Sequence, residues 1–355
     1  MVIKRKKLRI PKPMFSGNPG LPAAVALSAV MLGMLVCASF FAAEAFSSPA
    51  PEVSSDTVIS VVLTDVEEEY TQTDPPEQTS DPEPEYPWMP VSASPVFMSS
   101  EVGSPYAVLV DAGTMFTVAE KNADDRMYPA SMTKIMTLIL ACEMCPGFEG
   151  YFTVTQNIVD EVAAGSGSNV GLAAGETVSM RDLVYSMMLP SACDSAKCIA
   201  CFIAGSEKDF SVLMNEKAKE LGMTGTHFSG ASGMHSPDNY STARDVAAML
   251  AYAFGIEEAR KVMSTSVYTM SATDKHPARK IRSTVFRLEE TYTGERKMEG
   301  DIVCGKTGTA SAAGKCLASV AVTEEGRIYI LVTGGASSSR LLMDDTYYIY
   351  SAVCG

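Results

Sequence analysis

Tyr128-Pro129-Ala130-Ser131-Met132-Thr133-Lys134 leads into the apolar run Ile135-Met136-Thr137-Leu138-Ile139-Leu140, and Lys306-Thr307-Gly308-Thr309 follows far downstream in a strand-like stretch. A serine and a lysine three positions apart lie on one face of a helix, roughly 5–6 Å apart at their β-carbons. They can form a nucleophile–base pair without histidine, and the chain has only three histidines. The spacing predicts a helix over about 131–144 with apolar residues on nearly every face, hence a buried one. A lysine exposed to water would fit such a helix poorly. In the second stretch, Gly308 permits close approach of a substrate backbone.

Outward from these two stretches, Tyr106–Asp111 and residues 115–120 read as strands joined by the short Gly113 loop, a hairpin pattern. Helical periodicity follows near 180–188, 194–204, 208–221 and 242–253. Residues 302–306, 317–322 and 328–333 then read as strands, with a closing helix over 340–350. Strands at both ends with helices between them predict an α/β (α+β) fold, in which one antiparallel sheet is built from the two ends. A helical insert would supply the opposite wall of a cleft. No internal repeats are evident.

Taken together, these motifs resemble the serine D-alanyl-D-alanine carboxypeptidases, low-molecular-mass penicillin-binding proteins related to class A β-lactamases. The likeness covers nearly all of residues 105–355. It includes the stretch ending at Lys134, Leu189-Pro190-Ser191, Gly222-Met223-Thr224 through His227-Phe228, Tyr240-Ser241-Thr242-Ala243-Arg244-Asp245, and Lys306-Thr307-Gly308-Thr309 through Leu317. The resemblance implies the β-lactamase/transpeptidase-like sheet with helices on both faces and a helical subdomain. It further implies Ser131 as nucleophile, Lys134 as general base and Ser191 as proton relay to the leaving amine. Lys306 would hold positive charge over the cleft, Thr307 would hydrogen-bond the substrate carboxylate, and the backbone N–H groups of Ser131 and Thr309 would form the oxyanion hole. Arg340 is a candidate for a second carboxylate contact, beside the plain reading of a solvated surface arginine. The implied partners are peptidoglycan stem peptides and β-lactam antibiotics.

One departure stands out. The family's second motif is Ser-x-Asn, whereas here it is Ser191-Ala192-Cys193. A thiol is a weak donor and acceptor where an amide would be a strong one. The readings are a tolerated variant, a changed substrate, or a domain that acylates and turns over poorly. A β-lactamase is a further alternative, but no Glu-x-x-Leu-Asn loop lies between Ser191 and Lys306.

The ends of the chain are read separately. The formal net charge is −14, and eleven acidic residues with no lysine or arginine fall between Ser47 and Met98. That proline-rich, acidic composition predicts a disordered spacer over 47–98, with the catalytic domain at 99–355. Before it, residues 1–20 carry six cations, from Lys4 to Lys12. An uncharged apolar run from Leu21 to Ala43, within a 21–46 segment, is long enough to span a bilayer. A retained anchor and a cleaved signal peptide are both compatible with it, and the run's length favours the anchor. Either way the domain is expected on the extracytoplasmic side of a bacterial membrane. Cys142/Cys145 and Cys198/Cys201 have C-x-x-C spacing but fall in helix-like apolar runs, where small core residues are the expected role. No metal-ligand cluster, phosphate-binding glycine loop or basic nucleic-acid patch stands out, so neither cofactor nor metal nor nucleic acid is expected.

Overall fold

In the computed structural model, the residues described are 87–354 apart from 93, 94 and 99. The basic segment 1–20, the apolar segment 21–46 and the spacer up to residue 86 lie outside them. Strands β1 (Val96–Phe97), β2 (Tyr106–Asp111) and β3 (Thr117–Lys121) open the domain. Helix α1 (Lys134–Met144), the short strand β4 (Tyr151–Thr153), α2 (Gln156–Ala164), β5 (Thr177–Ser179), α3 (Met180–Met188), α4 (Cys193–Ala204), α5 (Glu207–Glu220), α6 (Ala243–Gly255) and α7 (Glu257–Met263) follow. After the ribbon β6 (Val267–Met270) and β7 (Arg279–Arg282) come α8 (Thr284–Thr291), β8 (Asp301–Ala310), β9 (Gly314–Val322), β10 (Ile328–Ala336) and α9 (Ser339–Cys354).

The main sheet has the order β1-β3-β2-β10-β9-β8, so the first and last strands of the domain meet at the β2–β10 pair. All its pairings are antiparallel except β1 with β3. Successive side chains of a strand point to opposite faces, and here both faces are buried. Val108 and Val110 of β2, Val320 of β9 and Val332 of β10 pack towards the large helical layer that contains α1, α4 and α6. Ala107, Leu109, Leu317, Tyr329 and Leu331 pack on the other side against Leu342, Met343 and Tyr350 of α9. That two-sided burial explains the nearly continuous apolar composition of these strands. The antiparallel α+β architecture expected from the sequence is the one observed.

The stretch read as the end of the spacer contains ordered structure. Trp88 and Met89 pack against the main core, Trp88 meeting Tyr252 edge-on at 5.3 Å between ring centroids. Val91 exchanges backbone hydrogen bonds with Met115 and Thr117, and β1 pairs with β3 beyond it. The prolines that argued against regular structure here leave room for a two-residue strand, because an edge strand needs few ladder bonds.

β8 forms the other edge of the sheet and runs against the turn that carries Ser131. A β-carbon at Gly308 would lie 2.9 Å from the Pro129 carbonyl oxygen. The glycine therefore makes room for the nucleophile's own turn, a tighter reason than the approach of substrate alone.

Candidate active site

Ser131 does not begin an α-helix. It lies in a 3₁₀ turn, Ala130–Thr133, and α1 starts at Lys134. In a 3₁₀ turn side chains at i and i+3 eclipse, which brings Ser131 and Lys134 closer into line than the expected α-helical spacing. Lys134 Nζ donates to Ser131 Oγ at 3.1 Å. It also donates to the Ser232 carbonyl and to Cys193 Sγ at 3.5 Å. Ala130 holds φ +46°, a left-handed conformation costly for a residue with a β-carbon. The turn is braced by Gly233, whose φ is +70° and where a β-carbon would collide with the Ala130 carbonyl at 2.0 Å.

Lys134 is fully buried. Burial pushes its amine below the ordinary lysine range, while Cys193, Asp194 and Glu207 pull in the opposite direction. The neutral form that a general base needs is thereby favoured. Lys306, on β8, is equally buried, and desolvation, with Lys134 as the second cause, holds it well below the usual lysine value. Lys306, expected to hold positive charge over the cleft, is thus drawn towards its neutral form by its surroundings. An arriving anion would favour its protonation.

Ser191 precedes α4 but does not cap it. The cap position is Ala192 and no side-chain cap bond is made. Ser191 instead holds φ +68°, and its Oγ accepts from Lys306 Nζ at 2.8 Å. A strained backbone at such a position is the kind held in place by surrounding structure at functional sites. Lys306 also donates to the Thr307 carbonyl at 2.9 Å. Serine, lysine, serine and lysine thus form two linked pairs, with Cys193 beside the first of them.

These groups meet at a groove of about 970 Å³ lined by Ser131, Ser191, Cys193, Thr307, Gly308 and Thr309, among others. The Cys193 side chain is wedged in place, since a β-carbon at Gly167 would come within 2.6 Å of its sulfur. Arg340 is not among the groove residues. It sits at the first turn of α9 with its side chain 56% exposed, paired with Asp344 at 2.8 Å. An i,i+4 partner on its own helix thus engages the guanidinium.

Sequence reasoning missed several groove residues. Helix α8 supplies Thr284 and Arg287, and Thr284 Oγ1 lies 2.7 Å from Thr307 Oγ1. His235 lines the groove edge-on to Tyr128 at 5.0 Å, whereas His227 Nδ1 is engaged with the Asp238 carbonyl at 2.6 Å. The Ser232 carbonyl left no signal, because a backbone acceptor has no residue type. The four C-x-x-C cysteines are free thiols, and Cys142 and Cys198 are pushed upward by burial. Among the described residues there is no group of three or more His, Cys, Asp or Glu suited to a metal ion.

A buried amine hydrogen-bonded to a serine in a strained turn, beside the edge strand of an antiparallel sheet, is the arrangement that an activated serine nucleophile needs. The chain belongs to the D-alanyl-D-alanine carboxypeptidase family, which it matches over residues 91–337. D-alanyl-D-alanine carboxypeptidase DacF of Bacillus subtilis is 32% identical over 199 residues, which is 54% of this chain and 51% of that protein. DacC of Escherichia coli is 30% identical over 246 residues, 67% of this chain and 58% of its own. The chain thus spans about half the length of these curated relatives. The solved structure of the Streptomyces K15 DD-transpeptidase superposes with a TM-score of 0.63 at 27% identity, covering 71% of this chain and 98% of that one. Solved variants of that protein alter a serine and a cysteine two positions apart, the spacing of Ser191 and Cys193.

Proposed function

We propose that this chain is a serine D,D-carboxypeptidase that removes the terminal D-alanine from peptidoglycan pentapeptides through an acyl-enzyme and is acylated by penicillins. The observation that carries this reading is the bond from the buried Lys134 amine to Ser131. In the first half-reaction, Lys134 takes the Ser131 proton as Oγ attacks the D-Ala–D-Ala carbonyl. The tetrahedral oxyanion is held by the N–H groups of Ser131 and Thr309, both at the groove. Ser191, bonded to Lys306, passes a proton to the departing amine, and D-alanine leaves. Water then hydrolyses the ester at Ser131. The substrate lies along β8, an edge strand whose outer backbone groups are not used by the sheet.

The test is release of D-alanine from diacetyl-Lys-D-Ala-D-Ala together with covalent labelling by fluorescent penicillin, using the full chain. Ser131→Ala abolishes labelling and lowers release by about 10³-fold or more. Release that persists in this variant refutes the reading. A second reading, transfer of the acyl group to an amine acceptor, is favoured by the likeness to a DD-transpeptidase. A peptide–amine product formed when glycine is added would support it.

For location, we propose that the apolar run at 21–43 anchors the chain, with six cations on its cytoplasmic side and the acidic stretch carrying the domain outward. Fractionation and protease access from the outer face of intact cells decide this. Recovery of the chain in the cytosol would contradict it.

A further inference from the structure

Burial makes the Lys134 amine basic enough to act on Ser131, but the amine also needs a direction. A neutral amine carries two protons and one lone pair, and the lone pair must face the serine hydroxyl. Two acceptors beside Ser131 take the protons: the Ser232 carbonyl and Cys193 Sγ. A thiol accepts weakly, so the carbonyl chiefly sets the orientation. What holds that carbonyl lies outside the groove.

The residue before it is fastened from both sides. The Ala231 carbonyl accepts from Thr137 Oγ1 on α1 at 2.7 Å. The Ala231 N–H donates to Glu207 Oε1, at the start of α5, at 3.2 Å. Gly230 lets the carboxylate in, since a β-carbon there would lie 2.8 Å from the same oxygen. The other oxygen, Oε2, pairs with Lys197 of α4, a residue 8% exposed and about one helical turn beyond Cys193. Lys197 also pairs with Glu161 of α2 at 2.8 Å. Glu207 is not among the groove residues, so it reaches Ser131 only through the backbone it holds and through its charge.

We propose that Glu207 is a positioning residue for acylation: through the Ala231 N–H it aims the Ser232 carbonyl at Lys134 and thereby turns the amine's lone pair towards Ser131. The assignment rests on the acylation step of the carboxypeptidase reading above. As Ser131 Oγ attacks, its proton passes to Lys134 Nζ, and the resulting ammonium keeps the same carbonyl as acceptor. The ionisable groups around that ammonium are Cys193 and Asp194 of α4, Glu207 of α5 and Lys306 of β8. Burial lowers the Lys134 amine most, and Cys193, Asp194 and Glu207 oppose it. Loss of the Glu207 charge therefore makes protonation harder.

The test measures the rate constant for labelling by fluorescent penicillin across pH, with the full chain and three variants. Glu207→Gln keeps an acceptor for the Ala231 N–H and removes the charge. Its plateau rate stays within about threefold of the unaltered chain, and its acid inflection moves to lower pH. Glu207→Ala removes the acceptor too and lowers the plateau by about 10- to 100-fold, the size of a lost bond to a charged group. Glu161→Gln, which alters only the other partner of Lys197, leaves plateau and inflection in place. The inflection does not depend on how much protein is folded, so Glu207→Gln decides even if Glu207→Ala folds poorly. An inflection that stays put or rises in Glu207→Gln overturns the proposal. So does a plateau within about threefold of the unaltered chain in Glu207→Ala, or a Glu161→Gln variant that reproduces either effect. Labelling and D-alanine release by the unaltered chain are scored first, and their absence would sink the carboxypeptidase reading. The Lys134 amine can still be titrated by NMR of lysine isotope-labelled at Cε, and a midpoint unmoved by Glu207→Gln would then dismiss Glu207.

Discussion

In the proposed reaction Lys134 can act as a base because its surroundings make ammonium expensive. Its amine has three neighbours, Ser131, Cys193 and the Ser232 carbonyl, and no water-facing surface. Penicillin acylation therefore falls as pH drops through the lowered Lys134 pKa, because the protonated amine cannot accept the serine proton. The inflection lies below the ordinary lysine value of about 10.4. A pH profile of labelling rate checks this, and an inflection at or above that value would contradict it. Cys193 takes the place of an asparagine at this corner and lies against Gly167, where a β-carbon would come within 2.6 Å of its sulfur. Cys193→Ala removes one weak bond to Lys134 and leaves two, so acylation slows by about tenfold or less. A loss beyond a thousandfold would show that the thiol takes part directly.

Segments outside the motifs hold the machinery in place. Arg244 at the start of α6 is 9% exposed and donates to Asp124, Glu120, Ser92 and Thr117. One side chain thereby ties the helical layer to β3 and to the ordered stretch before β1. Arg244→Ala leaves Glu120 partly buried and uncompensated. It should destabilise the fold by about 2–3 kcal/mol, below the full value for a buried pair because Asp124 is largely exposed. Urea unfolding measures it, and a change under about 0.5 kcal/mol would refute the clamp. By the same logic, a domain beginning at Pro87 melts higher than one beginning at Ser100. The latter loses Trp88 from its seat on Tyr252 and Ser92 from Arg244; equal melting temperatures would show the stretch to be idle.

Stability as a function of pH reports on the whole domain. The folded Lys306 is held below its unfolded value, so as pH rises towards the unfolded lysine range of about 10.4 the unfolded chain binds more protons than the folded one, and this group raises stability with pH. Buried thiols act in the opposite sense. Cys198 and Cys304 are pushed up by burial, and Cys316 to about 11. Above about pH 8.5 the unfolded thiols ionise first, and stability falls. Thermal melts across pH 7–10 should therefore pass through a maximum near pH 8.5. A steady decline from pH 7 would mean that the lysines are charged in the folded protein.

The sequence by itself determined the layout. Short apolar runs in β2, β9 and β10 and helical periodicity in α3 to α6 are local patterns of burial, and they carried the α+β assignment. The Ser131/Lys134 spacing is local too. Other features depended on which segments meet. The nucleophile's 3₁₀ turn packs where Gly233 and Gly308 leave room for the Ala130 and Pro129 carbonyls. Thr284 and Arg287 entered the groove on α8, a short helix with β-branched residues in its first turn and no cap bond, which only its packing beside β8 makes stable. Spacing along the chain records which residues share a face; only the packed fold decides which faces oppose each other, and the depression of both lysine pKa values is a property of that opposition.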